Sequence, residues 1–364
     1  MTYRKNNIYF FCSEIDLSIK KDVVTGQSVI TNYVFDILNK DYNVFLKLHK
    51  TNQSNIFFIT LRLIKQILHI LLSFKKFEFG YLVISRSKFG FIRDSLLMIT
   101  FFIRKIKVIV HIHGSDIIYT RNYSEIHRYL FKLLKNSINI VPSKTLKNEL
   151  FLLNIESIFL SNFSTLFYLN QKEIYNFSDC KKDFITILWN SNIIYSKGFY
   201  HLSEALLNIY NSGFKKIKFQ ILGRIVPDDN IDLFKYIDEI RKYKFIEYIG
   251  PVDNEEAYKF LINSNIVALP SFYKTECQPL ALIDAIVANK YLLISNNKYL
   301  MELTEGYDKL IFQLPLRVED MSRDLKSNLI SFKNRELKDD YNKIGDQFKH
   351  YVFKDKLRKL LANI

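Results

Sequence analysis

Short runs of β-branched and aromatic residues alternate along the chain with stretches whose apolar positions recur every three to four residues. Such alternation marks parallel sheets built from strand–helix–strand units. The first half predicts strands at 8–12, 44–48, 81–85, 108–113, 138–142 and 157–160, with helical patterns such as 29–38 and 144–153 between them. A polar stretch, 170–183, breaks the rhythm and reads as a linker. The alternation restarts with strands at 185–189, 216–222, 245–249, 266–270 and 291–295, separated by helices at 198–210, 232–242, 255–263 and 279–287. Residues 318–364 read as helical and charged. The expected division is a first α/β domain over 1–170, a linker over 171–183, a second α/β domain over 184–340 and a C-terminal helix over 341–364. Whether that helix packs back on the first domain stays open. Open parallel sheets bind ligands beyond the carboxyl ends of their strands. Two doubly wound, Rossmann-like domains are therefore expected to face each other across a deep cleft.

The segment 55–74 (NIFFITLRLIKQILHILLSF) is long enough to span a bilayer. Arg62, Lys65, Gln66 and His69, however, fall at i, i+3, i+4 and i+7 and form one polar stripe on an otherwise apolar helix. Charge at mid-span is costly in lipid, so a transmembrane helix is rejected. Two readings stay open: a core-packed helix with one wet face, or an interfacial helix helped by Lys75 and Lys76 just after it.

Composition narrows the class. Hydrophobic residues make up 48% and charged residues 24% of 364, enough for two cores and against disorder. Cys12, Cys180 and Cys277 are scattered; so odd and sparse a count fits a reducing compartment, and no C-x-x-C points to zinc or redox chemistry. The start, MTYRKNNIYFF, carries no signal-peptide pattern, so a cytoplasmic protein is expected, with peripheral contact to the inner membrane's cytoplasmic face left open. The net charge is +15, of which residues 1–170 supply +12 through 23 Lys and Arg against 11 Asp and Glu. That asymmetry implies an anionic partner: membrane lipid, a phosphorylated acceptor or nucleic acid. No nucleic-acid-binding motif accompanies the charge, and residues 13–28 hold one Gly where a nicotinamide-binding G-x-G-x-x-G would stand, so both of those classes are set aside.

The segment 265–296 (NIVALPSFYKTECQPLALIDAIVANKYLLISN) carries the most chemistry. A buried strand ends in Pro-Ser, a loop leads to Glu276, and a helix carries Asp284 eight residues later. A carboxylate at a strand's mouth suits hydrogen bonding to sugar hydroxyls. Around Pro279, the backbone N–H groups of Cys277, Gln278 and Leu280 stand at the helix start, where unsatisfied N–H groups and the helix dipole attract phosphate. Asp284, two turns on, could accept both hydroxyls of a ribose. One element could thus hold the sugar, diphosphate and ribose of a nucleotide sugar.

This segment resembles the Glu-x7-Glu region of retaining GT-B glycosyltransferases of family 4, with Asp284 in place of the second Glu and Cys277 in place of a Gly. The resemblance extends along the chain. Residues 187–198 (ILWNSNIIYSKG) resemble the family's Gly-Arg-x-x-x-x-Lys-Gly loop, with Ser191 and Asn192 at the Gly and Arg positions and Lys197 and Gly198 kept. Residues 108–116 (VIVHIHGSD) resemble its strand ending in His-Gly, and Asn162 its Asn after the last strand of the first domain. The resemblance implies transfer of a sugar, with retention, from a UDP- or GDP-sugar to a saccharide or lipid-linked acceptor, as in bacterial surface-polysaccharide or lipopolysaccharide synthesis. It implies His113 and Glu276 as catalytic residues. It implies Gly26, Asn192, Lys197, Cys277, Gln278, Pro279, Leu280 and Asp284 as donor-binding residues, with no metal and no cofactor besides the donor substrate, and Arg224, in the ILGR segment after strand 216–222, is added as a cation that could compensate for the missing Arg beside Lys197. The altered Gly-Arg and Glu-Gly positions motivate one alternative: a non-catalytic relative acting as a complex subunit. A sugar-nucleotide epimerase, which shares the architecture but needs no acceptor, is a further one.

Overall fold

The computed structural model describes residues 5–12, 26–48, 56–168, 184–307, 311–333 and 343–364; the predicted linker 171–183 lies outside them. The chain divides into two compact units, 1–161 and 162–364. The first holds a six-stranded parallel sheet made of β1 (Asn7–Cys12), β2 (Asn43–Leu48), β3 (Phe77–Val83), β4 (Lys107–His111), β5 (Ile138–Val141) and β6 (Ser157–Phe159). Their order across the sheet is β2-β1-β3-β4-β5-β6. The second holds β7 (Ile185–Asn190), β8 (Ile217–Leu222), β9 (Ile246–Gly250), β10 (Ile266–Leu269), β11 (Tyr291–Ser295) and β12 (Ile311–Leu314), in the order β12-β11-β10-β7-β8-β9. Strands covered on both faces can carry continuous apolar runs, and the central ones do: β1, β4, β7, β10 and β11 are buried nearly end to end.

The helices start where a short polar side chain replaces the missing intrahelical acceptor. Ser87 caps Lys88–Ile103 through Gly90 N–H, Ser143 caps Lys144–Phe151 through Leu146 N–H, and Asp253 caps Asn254–Asn263 through Glu256 N–H. The C-terminal helix His350–Ala362 belongs to the second unit, where Phe353 packs edge-on against Phe163 at 5.1 Å. The strand β12 had no counterpart in the sequence reading. It is four residues long, pairs only with β11 at the sheet edge, and has no periodicity of its own to detect.

One orientation differs from expectation. The helix Ile56–Leu72 does not present its polar stripe as a simple wet face: Gln66 is buried, and His69 Nδ1 lies 2.9 Å from the Tyr9 hydroxyl of β1. The residues turned to solvent include Phe57, Leu61, Ile64, Leu68 and Leu72. Among the described residues no helix is long and apolar enough to cross a membrane.

Candidate functional site

The second sheet has the doubly wound order in which the chain reverses direction between two central strands, here β7 and β10. Ligands of such sheets sit outside the carboxyl ends of the strands at that switch point. Three loops meet there. After β7 the Trp189 indole donates to Ser191 O at 2.8 Å and fixes the loop's first bend. Lys197 Nζ donates to Ser191 Oγ at 2.7 Å, so the ammonium lies over the end of β7, part-buried. Gly198 follows with φ +83°, and a Cβ there would stand 2.2 Å from Pro270 O. Only glycine lets the β7 loop touch the end of β10 in this way. After β8, Gly223 has φ +117°, and its Cβ would lie 2.0 Å from Ser191 O. The next carbonyl, of Arg224, accepts from Ile193 N–H at 2.9 Å. The β8 loop is thereby tied to the β7 loop, with the Arg224 side chain exposed.

The β10 loop completes the group. Phe272 N–H donates to Ser196 O at 2.9 Å, joining it to the Lys197 turn. Glu276 is buried to 7% exposure, and its Oε2 accepts from Ser271 Oγ at 2.9 Å. Ser271 is itself held, its carbonyl accepting from Ser295 Oγ at 2.5 Å. A carboxylate fixed in this way is pre-oriented at the mouth of the switch point, which is what directed hydrogen bonding to a sugar requires. The helix Leu280–Val287 begins behind it with Pro279 at its N-cap, so no side-chain hydroxyl closes its first N–H groups. The structure therefore brings Asn192, Lys197, Arg224, Glu276 and the Cys277–Leu280 helix start to one end of one sheet.

Two residues meet partners that the sequence did not suggest. Asp284, expected to be open to a ribose, has both carboxylate oxygens occupied. Its Oδ1 accepts from Ser164 Oγ at 2.6 Å and Thr165 N–H at 2.8 Å, and its Oδ2 accepts from Thr165 Oγ1 at 2.6 Å. Burial pushes its pKa up, opposed by those hydrogen bonds from Ser164 and Thr165. Gln278 likewise turns to the same segment: its Oε1 accepts from Asn162 N–H at 2.5 Å, and its carbonyl accepts from Asn162 Nδ2 at 3.1 Å. In this conformation Asp284 and Gln278 clamp residues 162–165 onto the helix start. The Asp284 carboxylate is thus already engaged by neighbours more than a hundred residues away in sequence.

In the first unit, His113 follows the end of β4. Its Nε2 is shielded and has no hydrogen-bond partner, and its ring lies 4.1 Å from that of His111. Burial pushes the His113 pKa well below the ordinary histidine value, assisted by His111 and Arg86. His111 is fully buried, its Nδ1 2.8 Å from the Tyr81 hydroxyl, and burial lowers its pKa to about 3. Sequence reading missed Arg86, whose Nη1 donates to Asp116 Oδ1 at 2.5 Å. A Cβ on Gly114 would lie 1.5 Å from Arg86 Nη1, so the His-Gly pair exists partly to admit this guanidinium. The only signal was a lone Arg between a strand and a Ser-capped helix, which is a common pattern. Gly26 is the exposed first residue of the helix Gly26–Asp41, and residues 13–25 before it lie outside the described structure. Among the described residues no three His, Cys, Asp or Glu side chains converge as metal ligands would.

The two histidines give a pH dependence with a definite sign. A His held neutral by the fold binds its proton less readily than in the unfolded chain. For His111, stability is then full above pH 6.5 and falls as pH drops from 6.5 toward about 3, by about 1.4 kcal/mol per pH unit, and His113 acts in the same sense. Asp94 and Asp284, pushed up by burial, act in the opposite sense above their ordinary value. Subtracting the urea-unfolding profile of His111→Asn from that of the parent isolates the histidine contribution. A shallower acid slope is expected in the variant; equal slopes would mean that His111 does not titrate as a buried neutral group.

Residues 170–347 match the family Glycosyl transferases group 1. No curated protein matches the sequence. Among solved structures, HepE of Anabaena in complex with UDP-glucose is similar with a TM-score of 0.68 at 12% identity, over 98% of this chain and 100% of that one. The lipopolysaccharide outer core galactosyltransferase WaaB in its apo form gives a TM-score of 0.68 at 12% identity, over 99% and 100%. A putative UDP-N-acetylglucosamine 2-epimerase from Listeria monocytogenes gives a TM-score of 0.59 at 12% identity, over 97% and 95%. The fold is GT-B, with two Rossmann-like α/β units. The family match falls within the second unit, over residues 170–347.

Proposed function

We propose that the chain transfers a sugar from a UDP-sugar to a saccharide or lipid-linked acceptor, with retention, in the building of a bacterial surface polysaccharide. The observation that carries this reading is the meeting of Lys197, the Arg224 loop and the Ser271-held Glu276 over the β7/β10 switch point. Lys197 and the helix start at Leu280 face the place where charge grows on a departing diphosphate, and Arg224 adds a second cation. Fixed charges aimed at developing charge are the largest single source of catalysis in such transfers. Glu276 orients the donor sugar through its hydroxyls. His113, neutral and with an unpartnered Nε2, serves the first unit as a hydrogen-bonding group for the acceptor. Asp284 and Gln278 act as positioning residues, holding residues 162–165 against the donor helix. No carboxylate is assigned as a covalent nucleophile. The likeness to HepE in complex with UDP-glucose supports a uridine donor, and the likeness to WaaB, a lipopolysaccharide outer core galactosyltransferase, supports a lipopolysaccharide setting. The acceptor lies at a membrane surface, which the basic first unit favours.

A thermal-shift screen with UDP, GDP, ADP and their sugar conjugates tests the donor site. A nucleotide at a hundred times its dissociation constant stabilises the fold by about 2.7 kcal/mol. The expected result is a shift with uridine nucleotides, lost in Lys197→Ala. A shift with guanine nucleotides alone would refute the uridine assignment, and no shift with any would refute the donor site. The similarity to an epimerase fold favours one second reading, interconversion of the nucleotide sugar itself. It predicts turnover without any acceptor, whereas the transferase reading predicts product only when an acceptor is supplied.

A further inference from the structure

We propose that the helix Ile56–Leu72 seats the first unit on an anionic lipid bilayer through its solvent-facing side. The proposal deepens the membrane setting proposed above and rests on it. Phe57, Leu61, Ile64, Leu68 and Leu72 stand at i, i+4, i+7, i+11 and i+15, one continuous stripe along the helix. Their exposures run from 40% for Leu61 to 70% for Leu72, and Phe74 just beyond is fully exposed. The opposite side faces the unit: Gln66 and Ile70 are buried, and His69 meets Tyr9. Much of the helix's apolar surface is thus turned outward, with Lys65 and His69 exposed alongside it. Its far end is pinned by Arg104, whose guanidinium donates to Leu71 O at 3.3 Å and Ser73 O at 2.7 Å, so the stripe is a set surface.

Charge selects the occupant. No Asp or Glu occurs between Asp41 and Glu78. Lys65 lies exposed beside the stripe, and Lys75 and Lys76 lie exposed beyond its end, with Lys75 over the Phe45 ring at 4.5 Å. Lys105 and Lys107 are exposed next to the pinning Arg104. An apolar strip beside lysines, with no acid in its own segment, complements acyl chains beneath a negative headgroup layer. A second copy of this chain laid stripe to stripe would instead bring Lys65, Lys75 and Lys76 against their own kind. Seventeen residues with Arg62 and Lys65 in mid-helix cannot span the bilayer, so the helix lies in the interface plane.

The test is flotation of the full chain with vesicles containing phosphatidylglycerol, against vesicles of phosphatidylcholine alone. The parent is expected to float with the anionic vesicles, less so as salt is raised. Ile64→Gln with Leu68→Gln, both at exposed positions, should lower the bound fraction about tenfold. The nucleotide-induced thermal shift of this double variant should equal that of the parent, which separates loss of the surface from loss of the donor site. A tryptophan placed at Phe57 should shift to the blue with anionic vesicles. Equal flotation of parent and double variant, or no flotation of the parent at low salt, overturns the proposal. So does a dimer in sedimentation that the double variant converts to monomer without vesicle binding, since a second copy would then cover the stripe.

Discussion

Replacing Glu276 by Ala lowers sugar transfer by about 10²-fold or more while leaving the melting temperature within a few degrees of the parent. A misplaced reacting group costs on that order, because orientation is lost when the group that imposes it is removed. The carboxylate hydrogen-bonds Ser271, whose carbonyl is separately held by Ser295, so the loop retains an anchor when Glu276 is shortened. Glu276→Gln keeps the side chain's reach but removes its charge, and should fall between the two. Ser271→Ala should give a smaller loss, since it frees the carboxylate to rotate without removing it. Steady-state rates at saturating donor, with the uridine thermal shift measured in parallel, provide the check. Unchanged turnover in Glu276→Ala would remove the residue from the site.

Replacing Asp284 by Ala is expected to act first on stability, lowering it by about 3 kcal/mol or more. The substitution strands the hydroxyl of Ser164 and both the hydroxyl and N–H of Thr165, all now donating to one buried carboxylate. Hydrogen bonds to a charged group contribute about 1.5–3 kcal/mol each, and unsatisfied buried donors cost further. If Asp284 positions residues 162–165, then Ser164→Ala with Thr165→Val should reproduce much of the same loss of stability and of nucleotide affinity. A double-mutant cycle separates the two possibilities. Strong coupling between Asp284 and the Ser164–Thr165 pair supports the clamp. Independent effects, with nucleotide affinity lost only through Asp284, would return it to direct ribose binding.

These two residues show how unevenly the site could be read. Glu276 was legible because its surroundings are local: strand, Pro-Ser, loop and helix follow one another within about thirty residues. Lys197 and Ser191 were legible as neighbours for the same reason, being six residues apart on one loop. Asp284 was legible as a polar position on a helix, but its partners lie 119 and 120 residues away, and no spacing rule connects them. Arg86 was invisible because its role depends on Gly114 and Asp116, which a different strand brings beside it.

The alternation of buried strands and amphipathic helices was set by the sequence alone, since each strand's apolar run and each helix's cap are properties of a few consecutive residues. That pattern predicts two Rossmann-like units; the count of charged residues gives the basic character of the first, and the family resemblance implies the glycosyl-transfer chemistry expected of the second. Strand order was not readable in this way, because a parallel crossover has the same local pattern wherever its strand is inserted. Only the folded sheet puts β7 beside β10 and so creates the switch point where Lys197 and Glu276 meet. The rotation of the helix Ile56–Leu72 was also decided there. Its polar stripe, Arg62, Lys65, Gln66 and His69, was plain in sequence. Only the fold decided that Gln66 and Ile70 turn inward while His69, though exposed, meets the Tyr9 hydroxyl of β1.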